Sequence, residues 1–349
     1  MIPNLPAVSS YTPPMIKHLV IAGGAHMGFS YYSALKTLIQ KQFMSMDNIE
    51  TIYTTSVGSC VAIFLLLQYD WETIDKYIIE RPWNKVFKFD FPTLVQSITK
   101  GGIYDINSIR ELFAPMLLGK DLSIDITLQE FYDYSNTELH FITTRFQDLG
   151  ICDISHKTHP EWKLVEAVYA TSCLPLLFVP FEKTVGDIYI DGAINMNYPI
   201  NRCIEDGHDP TELLGVSYHF RKKEFQGVTS FTDRIEVNVQ EKTTFKLFYF
   251  IMDLFFKLWY RIKVPMSYDS VNAPHQLNIM YHADPKNDII QSLKSREKRM
   301  SLMDVGIHSA NVFMDNEQQK QSQSSEPVKD DIFTESPTES NTNHDFTSS

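Results

Sequence analysis

The sequence predicts an α/β fold built on a largely parallel central sheet, and three observations carry that expectation. Residues His18 to Ala22 form a short apolar run closed by Gly23 and Gly24. The segment that follows, "FSYYSALKTLIQKQ", spaces Tyr31, Leu35 and Leu38 as on one helical face. A second strand-like run, "IETIYTTS", gives way to "VGSCVAIFLLLQY", which is apolar on every side and suits a helix buried in a core. Farther along, "TELHFITTRFQ" and "VGDIYIDGA" have strand character. Between them, "EWKLVEAVYATSCLP" reads as a helix stopped near Pro175, where the ring and the missing N–H forbid continuation. Strand, glycine turn and helix in repeated succession is the order of parallel strands joined by helical crossovers.

The totals narrow the classes of function. At 349 residues, 43% hydrophobic and 21% charged, the chain can bury a sizeable core. A net charge of −12 leaves no broad basic footprint for nucleic acid. Cys60, Cys152, Cys173 and Cys203 show no C-x-x-C pairing and no metal-ligand spacing, and they fit a reducing, cytoplasmic compartment. Residues 1–14 are rich in Pro and Ser and read as an extended leader without the basic-then-apolar order of a secretion signal. No apolar run reaches the roughly 18 residues that a spanning helix needs. From 316 to 349 the chain is too poor in apolar residues to offset the entropy of ordering, which predicts a disordered tail after one folded domain over 15–315.

Three short motifs carry candidate chemistry. In "LVIAGGAHMGFS", Gly23 and Gly24 permit a close backbone approach to a ligand oxygen. In "YTTSVGS", Ser56 stands at a strand-to-helix turn with Gly58 two residues on, a pattern similar to the G-x-S-x-G nucleophile elbow except that Thr54 replaces the first glycine. The same spacing also suits a serine that simply caps a buried helix. In "YIDGAINMNYPI", Asp191 and Gly192 end an apolar strand, and an Asp-Gly pair is also a common turn.

Read together and in order, the three motifs resemble the patatin-like phospholipase family, which has a Gly-rich oxyanion loop, a nucleophile elbow and a D-G-[GA] aspartate. "AVYATSCLPLLFVPF", "NYPI", "GGIYDINSIRELF" and "ITLQEFYDYSNTELHFITT" are similar to the family's flanking segments, so the likeness runs from about Lys17 to about Phe313. The resemblance implies a three-layer sandwich with a mostly parallel sheet flanked by helices, and a lipid acyl hydrolase acting on fatty-acyl esters at a membrane surface. It implies Ser56 as nucleophile, Asp191 as its base, and backbone N–H groups of Gly23, Gly24 and Ala25 as the oxyanion hole. Gly58 and Gly192 would support the two turns, and neither metal nor cofactor is implied. Thr54 departs from the family pattern, as does Met27, which stands where the family often has Arg or Lys. The alternative is a weakly active or inactive homologue that binds lipid or a protein partner.

Competing chemistries find less support in the residues. Ala25 breaks the G-x-G-x-x-G spacing, and no lysine follows as a P-loop requires. His208, His219, His275, His282 and His308 follow Asp191 in the order of a Ser-Asp-His triad, but none has a recognisable context. His26, inside the glycine loop, is expected to face solvent. The aromatic segment 243–264 places Lys246, Asp253, Lys257 and Arg261 on one helical stripe. It reads either as a helix packed on the domain or as a peripheral membrane contact.

Overall fold

The computed structural model describes residues 12–220, 250, 251, 254, 273–281 and 285–324. The order of elements is β1 (His18–Ile21), α1 (Gly28–Gln40), β2 (Thr51–Thr55), α2 (Val57–Leu66), α3 (Trp71–Glu80), α4 (Trp83–Val86), α5 (Phe91–Lys100), β3 (Gly102–Tyr104), α6 (Ile106–Leu118), α7 (Leu128–Ser135), β4 (Glu138–Arg145) and β5 (Ile151–Ile154). It continues with α8 (Leu164–Ser172), β6 (Leu176–Phe178), β7 (Phe181–Thr184), β8 (Asp187–Asp191), α9 (Ile200–Glu205), β9 (Leu213–Phe220), β10 (His275–Tyr281), α10 (Pro285–Lys294) and α11 (Arg296–Ser324). The elements expected from the glycine-punctuated runs are β1, α1, β2, α2, β4, α8 and β8.

The main sheet runs β10-β9-β1-β2-β4-β8-β7, with β5 also on β4. Pairing is parallel from β10 through β9, β1 and β2 to β4, and antiparallel where β5 and β8 meet β4 and where β7 meets β8. Strand alternation sorts the side chains into two layers. Leu19, Ile21, Ile52, Phe141, Val216 and Leu277 enter the large core under α1, α2, α8 and α11. Val20, Tyr53 and Leu213 point to the opposite face and meet Ile200 and Cys203 of α9. The expected three-layer sandwich with a mostly parallel sheet is therefore observed.

One register detail positions everything that follows. Residues Phe141–Thr144 of β4 pair with β5, which occupies one edge of the strand. The other edge is shared: β2 fills it as far as Thr55 opposite Ile142, and β8 takes over with Asp191 opposite Thr143. Because β8 runs antiparallel to β4, the C-terminal ends of β2 and β8 meet head to head.

The C-terminal helix differs from the expected boundary at 316. Helix α11 continues to Ser324, so the expected tail begins as helix, and residues 325–349 lie outside the described set. Up to 316 it is anchored by a buried stripe of Leu302, Met303, Ala310, Phe313 and Met314 in the large core, and polar contacts add to it. Gly306 presses so closely on α1 that an added Cβ would fall 2.1 Å from Ser30 O. Ser30 Oγ donates to Leu302 O at 2.6 Å and Ser33 Oγ to Met303 O at 2.8 Å. Past 316, buried Glu317 accepts from His275 Nδ1 at 2.6 Å, and Gln321 Nε2 donates to Thr12 O.

The second face of the sheet carries a buried polar cluster. His140 stacks on Tyr53 with ring centroids 3.9 Å apart. Its Nδ1 lies 2.9 Å from Asp153 and its Nε2 3.2 Å from Glu138. Burial lowers the imidazole pKa, but the hydrogen bonds to the two carboxylates outweigh it and raise the group to about 9. A base held above its unfolded value of about 6.5 stabilises the fold fully below that pH, and the contribution fades as pH rises through 9. Replacing His140→Gln should therefore reduce the loss of stability between pH 6.5 and 9 relative to the parent. Urea midpoints measured across that range test it, and parallel curves for the two proteins would contradict it.

Candidate active site

The elbow is built by strain that neighbouring groups hold in place. At Ser56 the backbone takes φ 51° and ψ −126°, a region that costs a non-glycine residue about 1–3 kcal/mol. Its N–H donates to Thr171 Oγ1 at 3.0 Å, and its carbonyl accepts from Ser59 N–H at 2.9 Å and Ser59 Oγ at 2.6 Å. Helix α2 starts hard against β1: a Cβ on Gly58 would lie 2.5 Å from Ile21 O. Thr54 does not spoil the turn. It is fully buried, and its Oγ1 donates to His140 O at 2.8 Å, so the neighbouring strand absorbs the extra side chain.

Asp191 lies in the slot of the β4 edge that β2 would fill if it continued, one strand step of roughly 3.4 Å beyond Thr55. That places it beside Ser56, where β2 turns away into α2. It is 3% exposed. Its Oδ1 accepts from Ala193 N–H at 2.7 Å, its N–H donates to Cys173 O at 3.1 Å, and its carbonyl accepts from Thr144 Oγ1 at 3.1 Å. Gly192 must be glycine here, because a Cβ would sit 2.0 Å from Ile142 O where the two strand ends converge.

The glycine loop runs alongside. A Cβ on Gly23 would lie 3.3 Å from Ser56 Cβ and 2.6 Å from Asn197 Oδ1, so the loop and the elbow are neighbours. Gly23, however, is not a free donor as expected from the sequence: its N–H is committed to Asn197 O at 2.9 Å. Among the described residues, the N–H groups of Gly24 and Ala25 meet no acceptor. Ala25 adopts φ 47°, which turns the chain into the short 3-10 helix Ala25–Met27.

Residues not singled out in the sequence complete the frame. Thr171, at the end of α8, accepts from Ser56 N–H and donates to Ile142 O, bracing the elbow on β4. Asn197 grips Gly23 at both ends, its carbonyl on the N–H and its Nδ2 3.4 Å from Gly23 O. Thr55 Oγ1 donates to Met196 O at 2.9 Å, so the segment after Asp191 is tied to the elbow and to the loop together. No local pattern marks these contacts, since each joins residues far apart in the chain, from 29 positions for Thr171 with Ile142 to 174 for Asn197 with Gly23.

His26 contradicts the expectation of a solvent-facing side chain. It is 5% exposed, because Tyr281 covers it edge-on at 5.2 Å, and burial lowers its pKa to about 4. Met27 is fully buried in the core, so the position where the family often has Arg or Lys is apolar here. Among the candidate triad histidines, His208 sits with Tyr53 and His18 on the second face, His275 is paired with Glu317, and His308 is exposed on α11. His282 lies outside the described residues. Burial pushes the Cys60 thiol up to about 12, and burial with the Asp191 charge raises Cys173, so neither supplies a thiolate here.

The His140, Asp153 and Asp206 ligand atoms lie within 4.8 Å of one another, a spacing that a metal ion would accept. Arg202 already spans those carboxylates, 3.3 Å from Asp153 and 3.0 Å from Asp206, and the raised pKa keeps His140 protonated at neutral pH. The donor set is neutralised from within and does not fit a metal. A cleft of about 210 Å³ lined by Met46, Leu65, Leu66 and Asn136 opens at the far end of α2 from Ser56.

Residues 19–204 match the model of the patatin-like phospholipase family. Uncharacterized protein R571 of Acanthamoeba polyphaga mimivirus is 27% identical over 205 residues, spanning 58% of this chain and 65% of that relative, just under two thirds of its length. VipD from Legionella pneumophila has the same fold, with a TM-score of 0.52 at 15% identity over 87% of this chain and 67% of its own. The type III effector protein ExoU of Pseudomonas aeruginosa aligns over 88% of this chain and 54% of its own, with a TM-score of 0.43 at 11% identity. Since the matched residues make up more than half of its length, the chain belongs to the patatin-like phospholipase family.

Proposed function

We propose that the protein is a lipid acyl hydrolase in which Ser56 and Asp191 act as a dyad on fatty-acyl esters of membrane lipids. The observation that carries this reading is the head-to-head meeting of β2 and β8 on β4, which brings a strained serine and a buried carboxylate to adjacent slots. Ser56 Oγ attacks the ester carbonyl while its proton passes to the Asp191 carboxylate. The oxygen that becomes negative is held by the N–H groups of Gly24 and Ala25, with the N-terminus of α2 favouring charge nearby. Collapse returns the proton to the departing alcohol and leaves an acyl-serine. Water, deprotonated by Asp191, then releases the fatty acid and restores the serine. An aspartate is a weak base, so its shelter from water and its fixed position carry the burden, and each oxyanion donor is worth about 2.7–4 kcal/mol.

The substrate lies at a membrane surface in this reading. No helix among the described residues is long and apolar enough to cross a bilayer. Of the aromatic segment 243–264, only Phe250, Ile251 and Leu254 are described, and all three side chains are exposed, which supports a peripheral contact there. A second reading, a weakly active homologue that chiefly binds lipid, is favoured by the buried Met27 where the family often has Arg or Lys.

A fluorophosphonate probe separates the two readings. Labelling of the parent that disappears in Ser56→Ala supports the hydrolase, whereas folded parent that resists the probe supports the binding reading. Asp191→Asn should lower hydrolysis on the order of 10²–10⁴-fold while leaving the thermal midpoint close to the parent's. Thr171→Val leaves Ser56 N–H without its acceptor at a cost of about 1–3 kcal/mol. It should depress kcat more than it raises KM, with Thr171→Ser restoring the loss; equal kinetics in Thr171→Val and the parent would remove Thr171 from the frame.

A further inference from the structure

Helix α5 has an apolar stripe wider than its buried contact. Leu94 is buried in a small cluster with Ile103, against Phe89, Phe91, Tyr104 and Leu177. Val95 and Ile98, on the adjoining side of the same stripe, remain 44% and 75% exposed. The helix is set in a basic surround that departs from the rest of an acidic chain. Between 82 and 101 there are three lysines, Lys85, Lys88 and Lys100, all exposed, against the single carboxylate of Asp90. Among the described residues none of these lysines pairs with an acidic group, and Asp90 is occupied as the N-cap of α5, bonded to Thr93. An amphipathic helix with uncovered aliphatic side chains and lysines at its flanks has the chemistry that lies in a membrane interface and is drawn to anionic headgroups.

The same helix is mechanically close to the candidate site. Leu94 packs on Leu177 of β6, and β6 pairs in parallel with β3. Tyr169 of α8 reaches β3 and the residue that follows β6, its hydroxyl placed 3.2 Å from Tyr104 O and 2.6 Å from Val179 O. Between α8 and β6, Cys173 O accepts the N–H of Asp191, and two residues earlier Thr171 accepts the N–H of Ser56. A surface that rests on α5 therefore sits a few residues of packed structure away from the serine and the aspartate.

We propose that α5 is a docking surface for an anionic lipid bilayer, inserting Val95 and Ile98 among the acyl chains while Lys85, Lys88 and Lys100 meet the headgroups. The inference rests on the lipid-hydrolase reading for its purpose but not for its test. The full chain carrying Ser56→Ala is floated with phosphatidylcholine vesicles made with and without phosphatidylserine. It should float with the anionic vesicles, and binding should fall about tenfold or more in Val95→Asp/Ile98→Asp and in Lys85→Glu/Lys88→Glu/Lys100→Glu. The same substitutions in the parent should leave the thermal midpoint and the hydrolysis of a soluble, monomeric ester unchanged. Failure of the Ser56→Ala chain to float, or variants that float as it does, would overturn the docking surface. If flotation depends on α5 as stated while no ester is hydrolysed, the docking surface stands and the hydrolase reading falls.

Discussion

The structure depends on two strand ends competing for one edge of β4. Strand β2 claims that edge up to Ile142 and β8 claims it from Thr143. Neither can continue without displacing the other, so both must leave the sheet where they meet. One leaves through Ser56, by a positive φ into α2, and the other through Gly192, the residue whose missing Cβ lets it pass Ile142 O. The strain at Ser56 follows from this collision, and so does the burial of Asp191 beside it. A serine and a carboxylate become neighbours because the sheet gives their strands nowhere else to go.

The surrounding contacts hold that arrangement rather than create it. Thr171 ties the elbow to β4, Asn197 ties the glycine loop to the segment after Asp191, and Met196 O takes the Thr55 hydroxyl. These three bonds link the loop, the serine and the aspartate into one polar frame above a fully buried apolar layer. Behind the loop, α11 packs on α1 through Gly306 and two serine hydroxyls, and Tyr281 closes over His26. The loop is thus backed by structure that lies beyond the family-matched residues.

Local chemistry was legible in the sequence, and long-range chemistry was not. Gly23, Ser56, Gly58, Asp191 and Gly192 stand out because each turn admits few residue types, and their order along the chain carried the family likeness. Which N–H groups stay free was hidden, since the bond from Gly23 to Asn197 joins distant segments. His26 looked like a loop side chain because nothing nearby in the chain announces Tyr281. The end of helix α11 was not legible because the turns past 316 are held by polar contacts, Glu317 with His275 and Gln321 with Thr12, rather than by apolar periodicity. Thr54 and Met27 were visible departures from the pattern, and each has a local reason: a hydrogen bond to His140 O for the first, a core position for the second.

The central claim is that the glycine loop and the elbow together form a site for a tetrahedral oxygen at Ser56. A crystal structure of the protein after reaction with an alkyl fluorophosphonate tests it most directly. The phosphorus should be bonded to Ser56 Oγ, with its oxygen about 2.7–3.1 Å from the N–H groups of Gly24 and Ala25 and the Asp191 carboxylate alongside. An adduct on another residue, or a phosphonyl oxygen turned away from the loop, would contradict the account.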